Sequence, residues 1–280
     1  MKELFKSIFK ALGLYHPLQS WYQQILFNKR LKQTQNEYAA FKGEGLTCNI
    51  CQQSYTKFVP DKPSKENSDA IIRNEMIAGY GDNVLCPNCL STARERLVVA
   101  RLAKMDLAGK KILHLSPEKN VYSFIKNHAT VTTADLLPGF YKTVDGFVRK
   151  EDATNFSFET GIFDIVIANH ILEHIPADLQ AMKEIFRVLK PGGKALLQVP
   201  YSEKLIATQE MPDVKDPALQ SKLFGQKDHV RNYALTDYVS RLQNTGFKVS
   251  VVPYSAMAAY FKHAIQVQES FFEIEKPVTF

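Results

Sequence analysis

Residues 161–200 carry the most regular pattern of apolar and polar positions in the chain. A short apolar run rich in β-branched residues covers 163–168, with turn signals on both sides, which is typical of a strand buried on both faces of a parallel sheet. Apolar residues then recur at helical spacing over 178–189. The Lys-Pro-Gly-Gly sequence at 190–193 ends that helix, because proline cannot continue it and glycine allows a positive φ. A second apolar run at 195–199 completes a predicted strand–helix–strand unit with a right-handed crossover.

Other stretches repeat this alternation of buried strand and amphipathic helix. Strands are predicted at 110–115, 130–134, 144–148, 247–252 and 270–275, and a helix at 236–245. Further helices are predicted at 1–12 and from 18 to about 41, whereas the polar run at 60–69 is predicted to be a loop. The chain is therefore predicted to be an α/β protein, long enough for one large domain and a small appendage.

The four cysteines fall into one pattern, two Cys-x-x-Cys pairs separated by 34 residues. They are Cys48, Cys51, Cys86 and Cys89. Each pair can form a knuckle that directs two thiolates at one ion, and two knuckles complete a tetrahedron. Structural zinc (Zn²⁺) is the leading interpretation, disulfides are disfavoured because nothing in the sequence indicates export, and iron in the same geometry stays open. A four-cysteine site leaves no open coordination position, so no catalytic role is predicted for it.

Polar residues follow the strand at 163–168 directly. They include Asn169, His170, Glu173 and His174. In an open α/β sheet, ligands bind beyond the carboxyl ends of the strands, so these side chains are predicted to line a site. The spacing His170-x-x-Glu173-His174 is also that of the inverzincin metallopeptidases, which bind zinc on a helix. Pro176 breaks any helix two residues later, which disfavours that alternative.

Several segments resemble class I S-adenosylmethionine-dependent methyltransferases. FDIVIANHILEHI, followed by LKPGG and a further strand, is similar to the second half of that domain. CPNC before an arginine-rich helix, a first strand ending in HLSPE, and a later FGQKDHVRNY resemble a bacterial subfamily with an N-terminal zinc-binding segment and a glycine-free first motif. The resemblance runs from about residue 48 onward. It implies a seven-stranded Rossmann-like methyltransferase sheet with helices on both faces, and S-adenosyl-L-methionine as the cofactor.

Cofactor contacts are assigned by this resemblance and by strand order. Asp135 ends the second strand about 20 residues beyond the first motif, where a carboxylate can accept both ribose hydroxyls; the alternative is an aspartate that caps the next turn. Asp152 and Ala153 correspond to family positions near the adenine. Glu118 is assigned to the amino-acid end of the cofactor, and a place in the first turn of a helix would also favour its carboxylate. The rest of the predicted cofactor-binding set is Leu115, Ser116, Asn169 and His170.

Residues 201–235 form a long connection, which is typical of a functional loop in a compact domain. It starts at the strand ends, where the methyl group must emerge, and is therefore the predicted substrate cap. His229 is the predicted general base, with a pKa suited to neutral pH, and His170 is the second catalytic candidate. Asp228, Arg231 and Tyr233 are predicted to bind substrate, with a salt-bridged structural corner as the alternative.

Charge is concentrated at the N-terminus. The net charge is +6, and residues 1–32 hold six basic and one acidic side chain, so the remainder is almost neutral. A near-neutral domain argues against nucleic acid as the partner. The predicted helix at 1–12 has lysines on one side and apolar residues on the other, which suits peripheral contact with an anionic membrane or docking on protein. Since no run approaches the ~20 apolar residues of a membrane span, and no secretory signal is recognised, a cytoplasmic location is expected.

Three regions are predicted: a basic helical leader (1–45), a zinc-binding segment (46–91) and a methyltransferase domain (92–280) that includes the cap. The predicted activity is methyl transfer to a small molecule or a sugar hydroxyl. One alternative is an RNA-base methyltransferase that grips RNA with its zinc knuckles, which the few basic residues between the cysteine pairs disfavour. The other is a non-catalytic adaptor that has lost its cofactor, which the glycine-free first motif permits.

Overall fold

The computed structural model describes residues 15–278, so the predicted helix at 1–12 and its membrane contact lie outside the described residues. The helices are α1 (Tyr15–Glu37), α2 (Lys65–Arg73), α3 (Ala93–Leu102), α4 (Lys119–Ile125), α5 (Asp178–Val188), α6 (Pro217–Phe224) and α7 (Leu235–Asn244). The strands are β1 (Lys42–Thr47), β2 (Ser54–Tyr55), β3 (Val59–Asp61), β4 (Gly81–Leu85), β5 (Lys111–Leu115), β6 (Thr130–Asp135), β7 (Arg149–Lys150), β8 (Phe163–Ile167), β9 (Leu189–Leu196), β10 (Tyr201–Ser202), β11 (Gln209–Glu210), β12 (Arg231–Ala234), β13 (Lys248–Val252) and β14 (Phe271–Glu275). Short 3₁₀ helices lie at Ala39–Phe41, Pro138–Phe140, Leu172–His174 and Tyr254–His263.

Seven strands form the central sheet in the spatial order β13-β14-β9-β8-β5-β6-β7. β14 is antiparallel to both of its neighbours, and the other adjacent pairs are parallel. The strand order reverses beside β5, which opens a crevice at the carboxyl ends of β5 and β8. This topology confirms the predicted seven-stranded α/β sheet.

Helices cover both faces of this sheet. On one face, α5 and α7 bury Ala181, Met182, Ile185, Tyr238 and Leu242. On the other face, α3 and α4 bury Leu97, Val98, Leu102, Val121 and Ile125. Because both faces are covered, the central strands are apolar without alternation, which is why their sequence pattern was readable.

The strand predicted at 144–148 is wrong. Asp145 accepts hydrogen bonds from Thr133 Oγ1 at 2.7 Å and from the backbone nitrogen of Phe147 at 3.1 Å, which folds this stretch into a turn. Phe147 is 91% exposed, so the apolar residues here belong to no core. The third strand of the sheet is the two-residue β7, which starts at Arg149.

Two other local predictions also need correction. The polar run at 60–69 is not a loop, since β3 ends in it and α2 begins in it. The Lys-Pro-Gly-Gly sequence does follow the end of α5, but it lies inside β9 and not before it. Its pairing with β8 jumps from Phe163–Leu189 to Ile165–Lys194, so the extra residues form a bulge.

The cysteine-bearing segment packs against the cap at the carboxyl edge of the sheet. Ile77 and Tyr201 exchange backbone hydrogen bonds of 2.8 and 3.2 Å, which join this segment to β10. Ser202 Oγ donates to the carbonyl of Asn74 at 2.5 Å, and α2 packs on α6. The two accessory regions therefore form one continuous wall above the sheet.

Helix α1 covers most of the described part of the predicted leader. Gln35 Nε2 donates to the carbonyl of Asn88 at 3.0 Å, which places the end of α1 beside the second cysteine pair. Nearer its start, the ring of Phe27 lies 5.5 Å from the ammonium of Lys119 on α4. Over residues 15–278, the structure contains no helix long and apolar enough to cross a membrane.

Candidate active site

Ser116 and Asp135 shape the turn at the carboxyl ends of β5 and β6. Ser116 has a φ of 43°, and its backbone nitrogen donates to the carbonyl of Ala134 at 2.9 Å. Its Oγ donates to Asp135 Oδ2 at 2.5 Å, and Asp135 Oδ1 accepts from the backbone nitrogen of Leu137 at 2.6 Å. Serine thus takes the left-handed conformation for which glycine is the usual residue, and the glycine-free motif still makes a tight turn.

A cavity of about 600 Å³ opens over this turn. Six predicted cofactor residues line it: Leu115, Ser116, Asp135, Asp152, Ala153 and His170. Among the lining residues that sequence reasoning missed is the apolar and aromatic wall after β6, formed by Leu136, Leu137, Phe140 and Tyr141. Leu136 and Leu137 are 55% and 56% exposed. Two adjacent leucines directly after the acidic residue that ends a strand could have indicated an apolar binding wall from the sequence.

Glu118 and Asn169, also predicted to contact the cofactor, are not among the residues that line this cavity. Arg94 Nε donates to Glu118 Oε1 at 2.9 Å, and Asn169 Nδ2 donates to Glu118 Oε2 at 2.9 Å. The backbone nitrogen of Glu118 also donates to His114 Nε2 at 3.3 Å. The carboxylate is therefore occupied by protein partners, and this network positions the turn after β5.

A second cavity, of about 360 Å³, adjoins the first. His170 and His174 line both cavities, so the two spaces meet at the turn after β8. One wall of the second cavity comes from the cysteine-bearing segment: Ile71, Met76 and Tyr80. Another wall comes from the cap: Phe224, Gln226 and His229. Two ligands, one in each cavity, would meet beside the imidazoles of His170 and His174.

Glu173 is a buried carboxyl group in the wall of the second cavity. Its side chain is 1% exposed, and within residues 15–278 neither of its oxygens makes a hydrogen bond. Oε1 lies 3.5 Å from His170 Nδ1 and 4.0 Å from His229 Nε2. Burial raises the pKa of Glu173 to about 7.

The His-x-x-Glu-His sequence does not form the α-helix that a metallopeptidase site requires. His170 has a φ of 51°, and the following Leu172–His174 is a single 3₁₀ turn. His170 and His174 therefore do not lie one α-helical turn apart, and this alternative is discarded.

Two histidines of the second cavity, His170 and His229, are neutral because burial lowers their pKa values. Burial lowers the pKa of His229 to about 3, so the expectation that it titrates near neutral pH is wrong. Burial, together with the charge of Arg94, keeps the pKa of His170 well below its usual value. The ring of His229 meets that of His174 edge-on, with centroids 4.6 Å apart. Neutral imidazoles can accept a hydrogen bond or ligate a cation.

Among the three predicted substrate residues, Asp228 borders the first cavity, and Arg231 and Tyr233 border neither cavity. The guanidinium of Arg231 is fully buried and donates to the carbonyl of Ile175 at 2.5 Å. The hydroxyl of Tyr233 donates to Asp178 Oδ2 at 2.7 Å. Arg231 and Tyr233 therefore form the structural corner that was the alternative, and their burial does not agree with substrate binding.

The two Cys-x-x-Cys pairs form matching knuckles. In each, the fourth residue after the first cysteine donates its backbone N–H to the carbonyl of that cysteine, at 2.8 Å in both knuckles. This fourth residue is Gln52 or Leu90, with φ values of 59° and 56°. The four thiols are free, and their sulfur atoms all lie within 4.8 Å of one another. These four sulfur atoms could enclose one ion; they belong to Cys48, Cys51, Cys86 and Cys89.

Residues 90–197 match the family model described as a methyltransferase domain. The matched residues run from just before α3 to just after β9 and include β5, β6 and β8. They therefore contain most of the wall of the first cavity. Over this range the chain is similar to a methyltransferase domain.

Two curated proteins are similar to parts of the chain. The ubiquinone biosynthesis O-methyltransferase of Xanthomonas oryzae pv. oryzae is 32% identical over 107 residues, which is 34% of this chain and 45% of that protein. The demethylmenaquinone methyltransferase of Lactococcus lactis subsp. lactis is 47% identical over 73 residues, 26% of this chain and 28% of that protein. The chain thus spans less than half the length of these relatives. Among solved structures, the CurJ carbon methyltransferase is 16% identical with a TM-score of 0.43, covering 66% of this chain and 53% of that one.

Proposed function

We propose that this protein transfers a methyl group from S-adenosyl-L-methionine to a hydroxyl oxygen of a small molecule. The observation that carries the proposal is the pair of cavities that meet at His170 and His174. Methyl transfer is an in-line displacement, so it needs donor and acceptor held end to end. A cofactor cavity and an acceptor cavity with one shared wall meet that requirement.

The first cavity has the groups that the cofactor needs. Asp135 ends the second strand of the parallel half-sheet, where a carboxylate binds ribose hydroxyls in Rossmann-like folds. Leu136 and Leu137 offer apolar surface for the adenine ring. Asp152 lines the same cavity, and by the family resemblance its carboxylate would accept a hydrogen bond from the adenine amino group. S-adenosylmethionine supplies a methyl group on a positively charged sulfur.

The second cavity is the proposed acceptor site. The acceptor hydroxyl passes its proton to an imidazole of the cavity wall, its oxygen forms a bond to the methyl carbon, and the carbon–sulfur bond breaks with its electron pair moving to sulfur. His170 and His229 line the space where the oxygen must lie, and neutral imidazoles can accept a hydrogen bond from a hydroxyl. The cysteine-bearing segment and the cap supply the other walls, which gives both a part in substrate choice.

A small-molecule acceptor is favoured by two features. The second cavity, at about 360 Å³, is of a size for a compact ligand. The curated relatives are named for ubiquinone biosynthesis and for demethylmenaquinone, and the first of them is an O-methyltransferase. A sugar hydroxyl fits the same chemistry.

The four-cysteine cluster is proposed to bind one structural zinc ion. The matched knuckles and the short sulfur–sulfur separations suit tetrahedral thiolate ligation. A closed site of this kind contributes folding free energy and leaves no position for substrate. Its role would be to hold the segment that walls the acceptor cavity.

Titration of the purified full chain with S-adenosylhomocysteine by calorimetry tests the proposal. We expect binding in the micromolar range and at least ~10-fold weaker binding by Asp135→Asn, which keeps the side-chain shape but loses the charge that favours the ribose contacts. Asp213→Asn, an exposed position outside the cavity, is the matched control. A folded protein that does not bind, or an Asp135→Asn variant that binds like wild type, would refute the cofactor site.

A further inference from the structure

Three side chains in the wall of the acceptor cavity form a cluster that the methyl-transfer site does not explain. They are Glu173, His174 and His229, and their candidate ligand atoms all lie within 4.8 Å of one another. Two come from the turn after β8 and the third from the cap, so two separate segments of the chain supply the cluster. From this cluster we propose that the protein binds a divalent transition-metal cation, with Zn²⁺ as the best match, at Glu173, His174 and His229. This site is separate from the four-cysteine site.

The first support is the state of the Glu173 carboxylate. It is buried, and within the described residues neither oxygen has a hydrogen-bond partner. An isolated buried carboxylate is costly, and buried charges in proteins are paired or coordinate metals. A cation among these three side chains would supply the partner that Glu173 lacks.

The second support is the orientation of the two imidazoles. His174 Nδ1 lies 3.2 Å from the backbone oxygen of Asp228 and 3.6 Å from its Oδ1. Metal-binding histidines commonly donate one ring N–H to a carbonyl or carboxylate, which leaves the other nitrogen for the ion. His229 Nε2 already lies 4.0 Å from Glu173 Oε1, and small side-chain rotations would bring both atoms to bonding distance of one ion, about 2.0–2.2 Å.

The third support is the ligand set and where it opens. Two imidazoles and one carboxylate are the protein ligands of many catalytic zinc sites, in which water or substrate takes the remaining position. All three side chains line the second cavity, so that position would face the acceptor. Resting on the proposed function, the inference names the acceptor class: a hydroxyl whose oxygen binds the cation and ionises more readily there, with His170, which is not a ligand, left to take the proton.

Metal content of the purified full chain, after equilibration with zinc sulfate and removal of free ion, tests this site. We expect about two zinc ions per wild-type chain and about one in Glu173→Gln and His229→Ala. His128→Ala, at an exposed histidine just after the end of α4 that lines neither cavity, is the control and should keep two. A folded wild-type chain that binds one zinc, or folded variants that keep two, would overturn the inference.

Cobalt substitution separates the two sites without any variant. The first equivalent of Co²⁺ should give the thiolate-to-cobalt charge-transfer band of the four-cysteine site. In wild type, a second equivalent of Co²⁺ should add the weaker absorption bands of cobalt bound by nitrogen and oxygen ligands. Titration that ends after the thiolate band is complete would contradict the second site, even if a variant fails to fold. S-adenosylhomocysteine binding is measured in parallel, because neither Glu173 nor His229 lines the cofactor cavity. If wild type binds two metal ions but does not bind S-adenosylhomocysteine, the proposed function is refuted and the second metal site is not.

Discussion

Arg96 and Arg231 are both fully buried, but they are satisfied in different ways. Arg96, on α3, donates to five backbone carbonyls. They belong to Asn83, Val84, Ser91, His263 and Ala264. Arg231, in the cap, donates to three carbonyls and to a carboxylate. These groups belong to Leu172, Ile175, Pro176 and Glu210.

The difference lies in what compensates the charge. Carbonyls satisfy the N–H groups of Arg96, and within residues 15–278 no carboxylate forms an ion pair with it. Burial lowers its pKa, and negative charge on the cysteine sulfurs and on Glu95 opposes that shift. Arg231 instead shares Glu210 and Asp178 with a second arginine, Arg241. Arg96 is therefore the common hydrogen-bond donor to three chain segments. Arg231 is one of two arginines in its network, so Arg241 would still pair with the carboxylates if Arg231 were removed.

The largest effect is expected for Arg96→Met, which replaces the guanidinium by an apolar chain of similar length. Five carbonyls lose their common donor, so the free energy of unfolding should fall by about 4 kcal/mol, measured by urea unfolding. Arg101→Met, on the same helix, is the control: Arg101 pairs with the half-exposed Glu273, and such pairs contribute about 0–1 kcal/mol. Equal losses in the two variants would show that the carbonyl cluster contributes little.

A smaller effect is expected for Arg231→Met, about 3 kcal/mol in urea unfolding. Its carboxylate partners stay paired, since Arg241 Nη1 lies 2.9 Å from Asp178 Oδ2 and Arg241 Nη2 lies 2.9 Å from Glu210 Oε1. The double variant with Arg241→Met leaves both carboxylates without a cation. Its loss should exceed the sum of the single losses by at least ~1 kcal/mol, whereas additivity within ~0.5 kcal/mol would rule out a shared network.

The sheet could be predicted from sequence because its central strands are buried on both faces. Apart from Asp164, residues 163–168 and 130–134 are apolar or β-branched, and the structure has β8 and β6 there. The polar residue that ends a strand was equally visible, since Asp135 lies in the cavity wall. β7 could not be found, because a two-residue edge strand has no periodicity.

The accessory regions were harder to predict because tertiary contacts decide them. Helix α2 lies in a polar run, and it packs on α6 so closely that a Cβ on Gly225 would lie 2.7 Å from Ile71 Cγ1. Arginine is ordinarily exposed, and the burial of Arg96 and Arg231 depends in part on partners distant in sequence, such as Ala264 and Glu210. Likewise, nothing in the sequence indicated that the carboxylate of Glu173 would be buried with no hydrogen-bond donor among residues 15–278.

Unlike the two arginines, the buried carboxyl group of Glu269 is protonated, and so uncharged, below about pH 7. It accepts a hydrogen bond from Gln198 Nε2 at 3.0 Å, and burial raises its pKa to about 7. The unfolded chain releases this proton near pH 4.5 while the folded chain holds it to about pH 7. The folded state therefore binds more protons in that window, and the free energy of unfolding falls as pH rises through it, by on the order of 3 kcal/mol.

Glu269→Gln is neutral at every pH and can keep the bond to Gln198, so it isolates this contribution. The free energy of unfolding of wild type minus that of the variant should fall between pH 4.5 and 7 and then level off, measured by urea unfolding across that range. Buried groups present in both proteins, such as His114, whose pKa burial lowers to about 4, cancel in the difference. Glu203→Gln, an exposed carboxylate, is the control and should change stability by less than ~1 kcal/mol. A difference that is flat across the window would mean that Glu269 keeps its charge in the folded state, and that burial alone does not decide which groups lose their charge.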